Sequence, residues 1–174
     1  SRNLVTLCQE DKQFLSMIRN ENNILMTALA VEDKSVCDSL VSAYLNTRNK
    51  RITKYNKEYP HLEQVENYYV IQEGSARYIE YKSMFILNSY FINPDAPVIL
   101  NDPKFINYTE FEEIDLNNDA FNYLVYAGAT DYHYTIGFNT MRLLDKLQFE
   151  YKKKLLDQPE KGLHEYLEDY INTL

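Results

Sequence analysis

Apolar residues along this chain recur at intervals of three and four, the mark of helices that bury one face. Phe14, Ile18, Leu25 and Ala28 share one stripe and predict a first helix over about 10–31. Ser35 is a suitable N-cap for a second helix over about 36–56, carrying Val36, Val41, Tyr44, Ile52 and Tyr55. Pro60 closes the next loop and can sit in the first turn of a third helix, about 61–89, which meets no further proline until Pro94. Between 93 and 118 the texture changes: Pro94, Pro97 and Pro103 stand among Asn and Asp, and PVIL at 97–100 is the only strand-like run. This predicts a long irregular connection, then a helix or turn near 119–128. A helix over about 131–148 is apolar on two sides, with Tyr134, Phe138 and Met141 on one and Ile136, Leu143 and Leu147 on the other, as a central helix requires. Gly162 precedes a last amphipathic helix, about 162–173. The expected architecture is all-α: a multi-helix, bundle-like single domain over 1–174.

Some charges break this pattern. Glu21 falls in the middle of the first apolar stripe, and Asp145 shares the side of Tyr134, Phe138 and Met141. A carboxylate buried there must be paired, metal-bound or protonated, because an unpaired buried charge costs several kcal/mol. Arg48, Arg51 and Arg77 are the available ion partners; a site carboxylate is the alternative. On the third helix Glu66, Val70, Glu73, Arg77, Glu80 and Met84 lie within about an 80° arc, opposite Tyr68, Ile71, Tyr78, Ile79 and Ile86. Glu73 and Arg77 have the spacing of a favourable i, i+4 pair. Gly74 sits directly after Glu73 in the helix interior, where glycine costs about 1 kcal/mol relative to alanine. With Ala76 it clears the shoulders of the stripe, so another backbone is expected to come close.

The totals narrow the classes. A net charge of −8 over 174 residues lacks the basic footprint of a nucleic-acid binder. RNKRITKYNK at 48–57 reads as one face of a helix and YKKK at 151–154 as a helix end. Sixteen Tyr with no Trp point to rings on half-buried helix faces. Cys8 and Cys37 have no metal-ligand spacing and read as free buried thiols. No apolar run is long enough to span a membrane, and there is no signal peptide. The chain opens close to a helical pattern without Met, which fits a mature product, a designed chain or a fragment. The compartment stays open between periplasmic, secreted and cytoplasmic, and so does the oligomeric state. His61, His133 and His164 are isolated, and neither a Gly-rich phosphate loop nor a GxSxG elbow occurs. Glu58 and His61 have ExxH spacing, but Pro60 lies between them.

The order of segments NENNILMTAL, RNKR, ENYYVIQEGSARYIEY and YHYTIGFNTMRLLDKL resembles the C-terminal helical part of bacterial zinc metallopeptidases of the gluzincin type, over roughly 10–155. In that family an upstream helix carries HExxH, and a later EG-x-A-x-Y motif supplies the third zinc ligand. The resemblance implies that Glu73 is a metal ligand and that Glu21 and Glu66 are acidic positions near the site, paired with Arg48 and Arg51. It implies that Tyr134, before the packing glycine Gly137, donates a hydrogen bond to a tetrahedral intermediate. Arg77 and Asp145 complete the surrounding charges. This chain has no HExxH, so zinc and catalysis need ligands and a base from outside it, in a missing N-terminal segment, with a peptide as substrate. The alternative is a non-catalytic helical interaction or scaffold domain.

Overall fold

The computed structural model describes residues 2–89, 101 and 131–174. Among these the fold is an all-α, multi-helix bundle: α1 (Arg2–Glu10), α2 (Lys12–Ala30), α3 (Lys34–Tyr55), α4 (Leu62–Ser89), α5 (Tyr132–Lys146), α6 (Lys152–Asp157) and α7 (Leu163–Ile171). The expected connection at 93–118 and the helix or turn near 119–128 lie outside the described residues, Asn101 apart. No described helix is long and apolar enough to cross a membrane.

α2 and α3 form an antiparallel hairpin. Asp11 caps α2, accepting from the backbone N–H of Gln13 at 2.8 Å and of Phe14 at 2.9 Å. The same carboxylate takes the Tyr55 hydroxyl at 2.8 Å, which ties the start of α2 to the end of α3. The cap of α3 is Asp33, bonded to Val36 N at 2.9 Å, rather than Ser35. An aspartate two residues upstream reaches the first turn as well as serine does and adds charge complementary to the helix dipole. The predicted stripe of α2 is buried as expected, and Glu21 and Asn22 are buried with it.

α5 is the central helix. It packs along α4 on one side and α2 on the other, with α7 across its end, and ten of its fifteen residues are buried. Asn139 donates to Asn22 Oδ1 at 2.9 Å, pinning α5 to α2. Lys146 donates to the carbonyls of Ala28 at 2.7 Å and Leu29 at 2.8 Å, and to that of Val31, and so satisfies the exposed C-terminal end of α2. The α4–α5 crossing is made by two glycines: a Cβ on Gly137 would lie 2.7 Å from Gly74 Cα and nearer still to the Val70 carbonyl oxygen.

α4 is turned from the amphipathic reading and buries members of both sides. Its buried line is Leu62, Glu66, Val70, Gly74 and Tyr78, while Tyr68, Ile79 and Ile86 are exposed. The reason lies in its neighbours. α3 offers buried guanidiniums to Glu66, and α5 can approach only where Gly74 has no side chain. Glu58 and His61 lie in the turn before α4 and share no helix. The 151–154 lysines begin α6 rather than end a helix, because Tyr151 precedes its first turn. Cys8 and Cys37 are free and buried; burial pushes the Cys8 thiol up to about 12, so it is inert at neutral pH.

Candidate functional site

The buried charges assemble around Arg51. Its side chain is 1% exposed and lies between Glu21 and Glu66, at 0% and 3%. Its Nε donates to Glu21 Oε1 at 2.7 Å and its Nη2 to Glu21 Oε2 at 2.8 Å. The remaining edge of the guanidinium bonds Glu66, with Nη1 to Oε2 at 2.7 Å and Nη2 to Oε1 at 3.0 Å. Each carboxylate is therefore held by two parallel bonds, the strongest geometry open to this pair of groups. The Tyr132 hydroxyl adds a bond to Glu66 Oε2 at 2.8 Å, and the Phe14 ring lies 5.2 Å from the guanidinium carbon.

Arg48 extends the cluster outward. It donates to Glu63 at 2.8 Å and to Asn67 Oδ1 at 2.9 Å, and stands 3.5 Å from Glu66. Burial works to raise Glu66, and Arg51 and Arg48 overcome it, holding the carboxyl down at about 2. Glu21 lies farther from Arg48, and there burial wins and raises it. Two carboxylates and two guanidiniums leave the interior neutral. The basic run 48–57 does not form one face: its two arginines point into the core, while Lys50, Lys54 and Lys57 stay exposed.

The other expected site residues lie elsewhere. Glu73 is half-buried on α4, about 10 Å along the helix from Glu66, and forms no ion pair or hydrogen bond among the described residues. Arg77 turns forward to Glu80 at 2.5 Å instead of back to Glu73, and its guanidinium stacks 5.6 Å from the centre of the Tyr134 ring. Asp145 is paired, but with lysines: Lys152 at 2.8 Å and Lys82 at 3.2 Å, with the Tyr78 hydroxyl bonded to it as well. Glu73, Arg77 and Tyr134 therefore share one surface, and Glu21 is sealed away from it behind Arg51. Among the described residues no three His, Cys, Asp or Glu side chains are gathered as a metal requires. Glu73 alone, one turn from a guanidinium, does not make a zinc donor set.

Sequence reasoning set aside His164 as isolated. In the fold its side chain is only 10% exposed, at the junction of α7 with α4. Burial, reinforced by nearby Arg48, pushes the imidazole down to about 3. At neutral pH it is uncharged, and its 3.7 Å approach to Glu63 is not an ion pair. The available signal was the i, i+4 spacing of His164 and Glu168 on one helix face.

This gives a pH prediction. The unfolded imidazole takes its proton near 6.5 and the folded one only near 3. The unfolded state therefore binds more protons between these values, and the stability owed to neutral His164 is whole above 6.5 and falls with pH. At pH 5 about 2 kcal/mol will have been lost. Glu66 adds nothing until the pH falls below its unfolded value of 4.5, and Glu21, with its raised pKa, acts in the opposite sense. Urea titrations of the parent chain and of His164→Gln at pH 7 and 5 isolate the effect, since the variant should lose that part of the slope.

No family model, no curated protein and no solved structure matches this chain.

Proposed function

We propose that these helices form a non-catalytic interaction or scaffold domain. The observation that carries this reading is the saturation of Glu21 and Glu66 by Arg51: the carboxylates nearest a would-be site are spent on holding α2, α3 and α4 together. A general base or metal ligand needs a lone pair free to reach substrate or ion, and neither acid has an open face. The stacking of Arg77 on Tyr134 also places positive charge where a zinc ligand set would have to form. The second reading, a part of a gluzincin-type metallopeptidase, keeps one observation in its favour. Glu73 is unbonded among the described residues, and so is available to ligands supplied from outside the chain. Isothermal titration of the purified chain with zinc separates the two. No stoichiometric uptake is expected, and Glu73→Ala should leave the titration unchanged. Stoichiometric zinc uptake abolished by Glu73→Ala overturns the proposal.

A further inference from the structure

The longest helix of the fold turns an apolar line outward. Opposite its buried residues, α4 presents Val65, Tyr68, Gln72, Ser75, Ile79 and Ile86, with the spacing of a coiled-coil seam. Val65 and Ser75 are half-buried, while Tyr68, Ile79 and Ile86 are 61%, 60% and 49% exposed. The outward side of a surface helix is ordinarily its charged side. Here Lys82 is the one charge on the line, and Asp145 holds it. The chain has 26 acidic residues, and none of them falls on this line.

The two ends of the line are complementary. Near its start a cavity of about 300 Å³ is lined by Gln64, Val65, Tyr68 and Tyr69. Its wall is held in place: the Tyr68 ring stands edge-on to Tyr69, with centroids 5.4 Å apart, and Tyr69 lies 5.3 Å from the His133 ring of α5. Near the other end Ile86 projects. Tyr68 and Ile86 lie about 27 Å apart along the helix axis. A hole at one end and a knob at the other match when two copies of α4 run antiparallel, with a two-fold axis at the level of residue 77. That register sets Ile86 of each copy over the cavity of the other, and Ile79 of each over Ser75 of the other. Serine is small enough to receive the isoleucine. Its hydroxyl is already bonded to the Gln72 carbonyl at 3.3 Å, so covering it strands no polar group.

We propose that this line pairs with the same line of a second copy, α4 against α4, in a two-fold dimer. The contact is closed, because every contact is made twice by the same two residues. Charge selects this face for self-association. Two chains of net charge −8 repel each other, and they meet at least cost where neither presents a carboxylate. One helix pair buries less than the roughly 1,200 Å² of a standard interface, so the dimer is weak and reversible. This deepens the interaction-domain reading, on which it rests, by naming the partner.

The test is analytical ultracentrifugation of the full chain up to about 1 mM. A monomer–dimer equilibrium is expected, and added salt should strengthen it by screening the repulsion between copies. Ile79→Glu, at an exposed position, should keep the helical signal and dimerise at least about tenfold more weakly. The register is read by cross-linking. Tyr68→Cys mixed with Ile86→Cys should give a disulfide-linked dimer under mild oxidation, and neither variant alone should do so; Cys8 and Cys37 are buried and do not compete. A chain that stays monomeric throughout, unchanged dimerisation of Ile79→Glu, or equal cross-linking of each cysteine variant alone would each overturn the proposal. The zinc titration reads Glu73, which lies off this line, so a failure of the dimer and a failure of the non-catalytic reading are told apart.

Discussion

Replacing Gly137 with alanine will destabilise the domain by about 3 kcal/mol, the reverse of what helix propensity dictates. In an exposed helix interior the same change gains about 1 kcal/mol. Here the new Cβ would lie 2.7 Å from Gly74 Cα and closer to the Val70 carbonyl oxygen. Both are backbone atoms, so no rotamer change relieves the clash, and the helices must separate. That places the substitution at the upper end of overpacking costs. Moving α5 away from α4 also presses it towards α2, where Asn139 is bonded to Asn22. Gly74→Ala should cost nearly as much, since its Cβ would meet Gly137 backbone from the other side. The double variant should cost far less than the sum, because helices already parted by one methyl have room for the second. Chemical denaturation of the three variants checks this. Additive losses would mean that the two glycines do not share one contact.

Gly74 shows what was readable in the chain and what was not. A glycine inside a long helix, after a charged residue, announced that a backbone comes close, and one does. The sequence did not say which helix. The glutamate stripe drew attention to an approach towards Glu73, whereas the approach is to the other shoulder, by α5 of the same chain. Helical periodicity found α2, α3, α4, α5 and α7 to within a few residues, because each buries a face wide enough to show as a stripe. It missed α1 and α6. They are short, one lies at the end of the chain, and α6 has no buried residue to give a pattern.

Charge was legible as a misfit and not as a map. Glu21 in an apolar stripe demanded a partner, and the arginines of 48–51 were the natural supply. Glu66 looked like part of a solvated arc because α4 has apolar residues on its other side too. Only the tertiary arrangement decides which face turns inward, and it is decided by partners on α3 and α5 that lie outside any local window. Asp145 illustrates the same limit. Its burial was suspected, but its partners are Lys82 and Lys152 and not an arginine, since Lys82 of α4 and the first residue of α6 both reach it. Tyrosine content was a partial guide: rings were expected on half-buried faces, and four that bind carboxylates are buried outright. Tyr55, Tyr78, Tyr132 and Tyr170 each place a ring in the core and a hydroxyl on a carboxylate, which an indole cannot do in the same space.

Arg51→Met should be the most damaging single change, costing about 4 kcal/mol or more. The loss comes less from the bonds removed than from what they leave: Glu21 and Glu66 facing each other without a counter-charge, both enclosed. One of them must then take a proton. Glu21 is the candidate, because burial already raises its carboxyl while Arg48 still supports Glu66. A folded pKa raised above the unfolded value gives stability that grows as the pH falls, so the gap between the variant and the parent should narrow on mild acidification, the loss from His164 being common to both. Glu21→Gln in the same background should recover a similar part at pH 7. The stronger test replaces the whole set, Arg51→Met with Glu21→Leu, Glu66→Leu and Tyr132→Phe, the last so that no hydroxyl is orphaned. Arg48 would keep Glu63 and Asn67 as partners. Burying two carboxylates and a guanidinium costs almost as much as their attraction returns, so this apolar set should come within about 2 kcal/mol of the parent. If it does, the cluster serves to set how α2, α3 and α4 meet rather than to add net stability. If the apolar set instead remains as unstable as Arg51→Met alone, the ion cluster is itself a net source of stability, and the balance of desolvation against attraction assumed for it is wrong.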